Sequence, residues 1–294
     1  MLMRQKGISL VEFMVAVLIS GIIMIAVGQI YVHSKGTYTW TMRQADAQES
    51  LRMAEYFLAF DIRQAGYRAC GGEPVNRLRD PELFPNLRIK AWSSAPPEYL
   101  DPDEVKAGTH VIAVSFAQTT MAGVIEPWMP TPAGALHVNT GSDVEKGDIL
   151  LVTNCRESDI FQVAGSEDPI TSGTIAHNTG GAVDPGNASR FLSTSYEGDA
   201  QLYRMVTHIY YVSPQNVLMR LWIKKGTFVA EDLVGHISDL QTTFILKKNG
   251  GYTRATPDSV VEWQDVDSVY LQVSADFPPA RPFRFSEILH LRNR

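Results

Sequence analysis

The sequence predicts an α+β fold: one long N-terminal helix, half suited to a membrane and half to a folded body, packed on antiparallel β-sheet. Three observations predict it. From Phe13 to Val32 there is no charged side chain, and a helix needs about 20 predominantly apolar residues to cross a bilayer. From residue 34 to residue 65 there is no proline, and Leu51, Ala54, Leu58, Ile62 and Ala65 recur at the three-and-four spacing of a helix face. Beyond residue 102 the period becomes strand-like, in runs rich in Val, Ile, Tyr, Phe and Thr.

The N-terminus comes first. A basic head, Arg4 and Lys6, leads through Gly7 into Ile8-Ser9-Leu10-Val11-Glu12 and then into the uncharged run. A cleaved secretory signal has a shorter apolar core ending in a small-x-small site, whereas this run continues into Gly28-Gln29-Ile30-Tyr31. A plain membrane anchor explains the run but neither Gly7 nor Glu12. A charge inside a transmembrane helix costs about 2.5 to 3.5 kcal/mol on insertion scales and therefore marks a function. Arg4 and Lys6 lie close before the run, while only Lys35 and Arg43 follow before Asp46 and Glu49. That asymmetry favours a cytoplasmic N-terminus and an exported body.

Lys6-Gly7-Ile8-Ser9-Leu10-Val11-Glu12-Phe13-Met14 resembles the class III signal of type IV prepilins and type II secretion pseudopilins. The resemblance implies a pilin-like fold and cleavage between Gly7 and Ile8 by a prepilin peptidase. It also implies N-methylation of Ile8 and a role for Glu12, the fifth mature residue, in assembly register. Many relatives carry Phe or Met where Ile8 stands. Residues 1–7 are then the leader and 8–32 the transmembrane half of the helix. Loss of Arg4 and Lys6 takes the side-chain balance from −6 to −8.

The body half of the helix spans 33–66. Met53, Phe57 and Phe60 widen the apolar face against a sheet, Gly36 is a weak point and Gly66 a C-cap. A continuous helix from Ser9 to Ala65 measures about 85 Å at 1.5 Å per residue. The run Asp61-Ile62-Arg63-Gln64-Ala65-Gly66-Tyr67-Arg68-Ala69-Cys70 is similar to the helix end of PilW-type minor pilins. So is a second block, Asp148 to Cys155 and on through Asp159-Ile160-Phe161-Gln162-Val163. Cys70 and Cys155 are the only two cysteines. In an oxidising compartment they either pair or stand as separate buried thiols, and the two blocks cover both ends of the disulfide that the resemblance implies. Such a bond stabilises by about 4 to 5 kcal/mol in the chain-entropy account.

Residues 67–294 are expected to form a periplasmic β-rich body. Residues 71–102, rich in Pro, Asn and charge, read as a long irregular connection. Strands are expected over 109–117, 148–153, 159–163, 202–212, 217–223, 237–246, 266–274 and 282–291. Ser213-Pro214-Gln215-Asn216 and Lys248-Asn249-Gly250-Gly251 read as hairpin turns, which favour antiparallel pairing. Residues 164–187, dominated by Gly, Ser, Thr, Asp and Asn, read as a surface loop. The sequon Asn187-Ala188-Ser189 reads as a chance match.

Hydrophobic content of 45% and 10% aromatics argue against global disorder. The net charge of −6, with no basic patch, argues against a nucleic-acid partner. No Gly-x-Ser-x-Gly, His-Glu-x-x-His or Walker loop occurs, so no catalytic residue, metal or cofactor is expected. His33, His110, His208 and His290 are scattered, and the last two, in strand-like runs, read as sheet residues. Asp101-Pro102-Asp103-Glu104 reads as a solvated acidic turn. Tyr38 and Trp40 read as interfacial aromatics, Tyr56 and Trp92 as core or helix-face residues.

With the leader removed, the amine of Ile8 lies one helical turn from Glu12. In a bundle of such helices the acid of one subunit can pair with the amine of its neighbour. The resemblance therefore implies a minor pilin that primes type IV pilus assembly from the inner membrane and is incorporated at the fibre tip. It would support twitching motility and adhesion, with other minor pilins, the major pilin and a tip adhesin as partners. The rival readings are a type II secretion pseudopilin and an adhesin acting through residues 164–187.

Overall fold

Helix α1 runs without a break from Leu10 to Gln64, 55 residues. The computed structural model describes residues 9–70, 73–79, 88–93, 100–179, 185–224, 227–248, 250–277 and 282–291. The chain divides into two compact units, Met1–Glu49 and Ser50–Arg294.

The first unit is helical wherever it is described, and Gly36 does not interrupt it. From Leu10 to Val32 every large apolar side chain is exposed, and the helix is long and apolar enough to cross a membrane. Three of its hydroxyls bond to the preceding turn of the helix. Ser20 donates to the Ala16 carbonyl at 2.7 Å, Thr39 to Lys35 and Thr41 to Thr37 at 2.9 Å. Bonding to the preceding turn spares a hydroxyl any outside partner, the condition for lying in lipid.

In the second unit the last turns of α1 bury Leu51, Ala54, Leu58, Ile62 and Ala65, the stripe expected from the spacing. The helix stops because Gly66 takes φ +74°, a left-handed conformation that side chains resist. A Cβ there would lie 2.4 Å from Arg88 Cγ. The Gly66 amide donates to Ser115 at 2.9 Å, and Tyr67 accepts from Ala117 at 2.7 Å, which turns the chain directly onto a strand.

Fourteen strands follow among the described residues. The first seven are β1 (Val75–Asn76), β2 (Ile89–Trp92), β3 (Val111–Gly123), β4 (Leu136–His137), β5 (Ile149–Thr153), β6 (Ser158–Gln162) and β7 (Thr174–Ile175). The rest are β8 (Gln201–Val212), β9 (Val217–Lys224), β10 (Thr227–Gly235), β11 (Ile237–Lys248), β12 (Gly251–Ala255), β13 (Val266–Ala275) and β14 (Phe283–His290). They form an eight-stranded sheet ordered β1-β6-β5-β8-β3-β2, onto which β9 and β10 join at β8. A four-stranded sheet runs β12-β11-β13-β14, and β4 with β7 makes a small ribbon. Among the described residues every strand pairing is antiparallel except β1 with β6. The spine is β8. One edge pairs with β3, while the other takes β5 along Gln201–Arg204 and β9 along His208–Val212.

Both expected hairpins are present. Ser213 to Asn216 joins β8 to β9, with Asn216 at φ 62°. Lys248 faces Gly251 across the β11–β12 turn, with Gly250 at φ 80°; Asn249 lies outside the described residues.

Four expectations are corrected. Residues 71–102 are not wholly irregular, because β2 buries Ile89 and Ala91 and pairs with β3. Residues 164–187 are not a surface loop. Their described part holds a short helix, α2 (Pro169–Ser172), and β7, and buries Ile175, His177 and Asn187. Polar composition misled there because the polar groups are bonded inside. Asn187 is 2% exposed and exchanges hydrogen bonds with the Gln162 backbone at 2.7 and 2.8 Å, so the sequon asparagine is a structural strut. Third, Met53 and Phe60 do not widen the buried face: they are 44% and 55% exposed, while Ala59 and Asp61 take the buried positions, and Tyr56 stands on the exposed helix face. Fourth, β10 and β12 were not expected as strands, since Glu231, Asp232 and Arg254 break the apolar pattern of these edge strands.

Candidate functional site

The N-terminal site is built on the first turn of α1. The Phe13 amide donates to the Ser9 carbonyl at 3.1 Å, so Glu12 lies where the partial positive charge of a helix N-terminus favours a carboxylate. Glu12 is exposed, and so are its apolar neighbours Val11, Phe13 and Val15. Gly7 and Ile8, the expected cleavage and methylation positions, lie outside the described residues. A single acid on an uncharged rod is tolerated in water, but in an apolar surrounding it demands a cation.

The second element is where the body grips its helix. Asp61, 3% exposed, accepts from His208 Nδ1 at 2.5 Å and from the Tyr210 hydroxyl at 2.6 Å, both from β8. Burial and then the Asp61 carboxylate push the Tyr210 phenol far above its usual range, so it stays a donor. Phe116 sits edge-on to His208 at 5.7 Å, and Arg63 bridges to Glu287 of β14 at 3.0 Å. Cys70 is bonded to Cys155, which ties the segment after the helix to the β5–β6 turn across 85 residues.

A second buried acid organises the far side of the large sheet. Asp159 in β6 is fully buried and accepts four hydrogen bonds. They come from Arg77 Nε at 2.7 Å, the Ser193 amide at 2.7 Å, the Ser193 hydroxyl at 3.0 Å and the Tyr196 hydroxyl at 2.8 Å. It holds residues 187–200 over a core that includes Leu150, Phe161, Ile175, Leu192 and Tyr196.

Asp61 and Asp159 were missed by sequence reasoning as structural acids. The signal for Asp61 was present: it stands three residues after Leu58 and four before Ala65, on the apolar stripe itself. An acid on a buried stripe requires donors, and only the fold shows that they are His208 and Tyr210. The two histidines assigned to sheets lie there, with His290 Nδ1 2.7 Å from Ser268 Oγ. The Asp101 turn is an exposed 3-10 turn capped by Asp101 on the Asp103 amide at 3.0 Å. Among the described residues, no three His, Cys, Asp or Glu side chains converge as a metal site.

No curated protein and no solved structure matches the chain at a significant level. Its N-terminus does match a family: residues 2–28 fit the Prokaryotic N-terminal methylation motif, which marks the chain as type IV pilin- or pseudopilin-like.

Proposed function

We propose that the chain is a minor pilin of the PilW type that primes type IV pilus assembly and is incorporated at or near the fibre tip. A prepilin peptidase cuts between Gly7 and Ile8, Ile8 is N-methylated, and residues 8–32 anchor the chain in the inner membrane. The half-helix 33–66 and the body 67–294 lie in the periplasm and then on the pilus. The observation that carries this reading is Glu12, the lone acid of an uncharged, wholly exposed helical run inside a methylation motif. Paired with the new amine of a neighbouring subunit, that acid offsets its own cost in lipid and sets axial register. Proteins with this motif act as structural subunits, so neither a catalytic role nor a cofactor is invoked.

N-terminal mass spectrometry of membrane-derived protein tests the processing: the expected chain starts at methylated Ile8, and an intact Met1 would end the reading. Glu12→Ala should leave export and cleavage unchanged and sharply reduce piliation. A type II secretion pseudopilin shares the N-terminal logic, and gene deletion separates the two: lost twitching with intact secretion supports the pilus. The adhesin reading, acting through residues 164–187, is separated by deleting that segment: cells should then still make pili but no longer attach.

A further inference from the structure

Five strands end the two larger sheets among the described residues: β1, β2 and β10 in the eight-stranded one, β12 and β14 in the four-stranded one. An end strand offers a row of unpaired N–H and C=O groups, and folded proteins blunt it by keeping it short or by setting charges, prolines or bulges along it. Four of the five follow that rule. β1, β2 and β12 have two, four and five residues, and β14 follows Pro282 and exposes Arg284 and His290. β10 departs from it. It has nine residues, pairs with β9 alone, and its bulge comes only after Asp232. Every other residue of an antiparallel strand points its N–H and C=O away from its partner, and among the described residues no backbone group receives those of β10. Phe228 and Val229, on opposite faces of the pleat, are 37% and 36% exposed, and Ala230 is exposed too. An uncharged apolar stretch is thus open to water on both faces and along one edge, which is the surface an added strand covers.

Charge narrows the occupant. Glu231 is met by Arg220 of β9 at 2.8 Å, whereas Asp232 is exposed and has no ion pair among the described residues. A second copy supplies no cation. Antiparallel overlap of 227–232 with itself sets Asp232 opposite Thr227 and Glu231 opposite Phe228, and sliding the copies toward the bulge brings the acids together. Like charges directly opposite destabilise a strand pair.

We propose that the outer edge of β10 accepts an extended segment of another subunit as a further strand of the large sheet, apolar at alternating positions and carrying a lysine or arginine opposite Asp232. Backbone hydrogen bonds to β10 hold it, and Asp232 selects it. That the segment belongs to another subunit of the same fibre rests on the assembly reading above; the chemistry of the edge does not.

The test uses the full-length chain in detergent micelles with isotope-labelled backbone amides. It is titrated with synthetic peptides of the same length as β10 that alternate valine with threonine. One carries lysines, one carries glutamates at the same places, and a third is the lysine peptide with every backbone amide methylated. Saturable shifts of the Phe228, Val229 and Ala230 amides are expected from the lysine peptide, with the glutamate peptide about three- to tenfold weaker and the methylated one without effect. Asp232→Lys, at an exposed position, should reverse the preference between the two charged peptides. If that variant does not fold, Asp232→Asn, which should equalise them, decides. Equal affinity of the two charged peptides for the unaltered chain, binding of the methylated peptide, or shifts confined to other strands overturn the proposal. So does self-association that shifts the β10 amides, which makes the occupant a second copy. In cells Asp232→Lys should lower piliation with Ile8 processing intact. Peptide selection without that loss refutes a fibre subunit as the source of the strand, whereas unprocessed wild-type protein refutes the assembly reading instead.

Discussion

The N-terminal helix and the β body each place a carboxylate among apolar residues, and they treat it in opposite ways. In the body, Asp159 is fully buried and receives four donors from three residues, and Asp61 receives two. In the helix, Glu12 stands exposed in the first turn with exposed apolar side chains around it. The body meets these two acids with donors of its own. The helix leaves both its apolar surface and its acid uncovered.

The contrast is sharpened or broken by four measurements. The largest expected effect is loss of the Cys70–Cys155 bond. Its 85-residue separation predicts a loss of about 4 to 5 kcal/mol on Cys70→Ser with Cys155→Ser, read as a lowered denaturation midpoint. Free-thiol counts equal in native and reduced protein would contradict the bond itself. Next is Asp159→Ala, which strands Arg77, Tyr196 and the Ser193 amide. About 3 to 5 kcal/mol of stability should go, and a loss under about 1 kcal/mol would mean the buried acid is no strut.

A smaller effect comes from pH. Burial holds His177 and His110 below the usual histidine value. The unfolded chain therefore takes up protons that the native body refuses, and stability falls as pH drops below about 6.5. Burial raises Asp148 above its ordinary value, so its contribution runs the other way, at lower pH. Melting temperatures between about pH 7.5 and pH 5 should decline with acid, and His177→Gln should flatten part of the slope. Smallest of all, Glu12→Ala should leave the stability of the body within about 0.5 kcal/mol while piliation falls. A matching loss of stability would dissolve the division between the two regions.

Legibility followed the range of the interactions. The helix with its buried stripe, the turns at Ser213–Asn216 and Lys248–Gly251, and the eight expected strands rest on local periodicity and local turn chemistry, which act over a few residues. Met53 and Phe60 were misplaced because an apolar residue beside a buried stripe has the same spacing whether it is covered or bare. Residues 164–187 were misplaced because composition counts polar groups without knowing whether Gln162 and Gly134 are there to bond them.

By itself, then, the amino-acid order determined the long helix, its uncharged first half with one acid, the β-rich remainder and the pair of cysteines. All of these depend on neighbours in sequence or on simple count. Only the tertiary structure decided that β8 is the shared spine of the large sheet, that Asp61 meets His208 and Tyr210 across some 150 residues, and which aromatics of the helix stay bare. Those outcomes turn on which distant strand comes to lie against which face, and burial and hydrogen bonding exist only once it has.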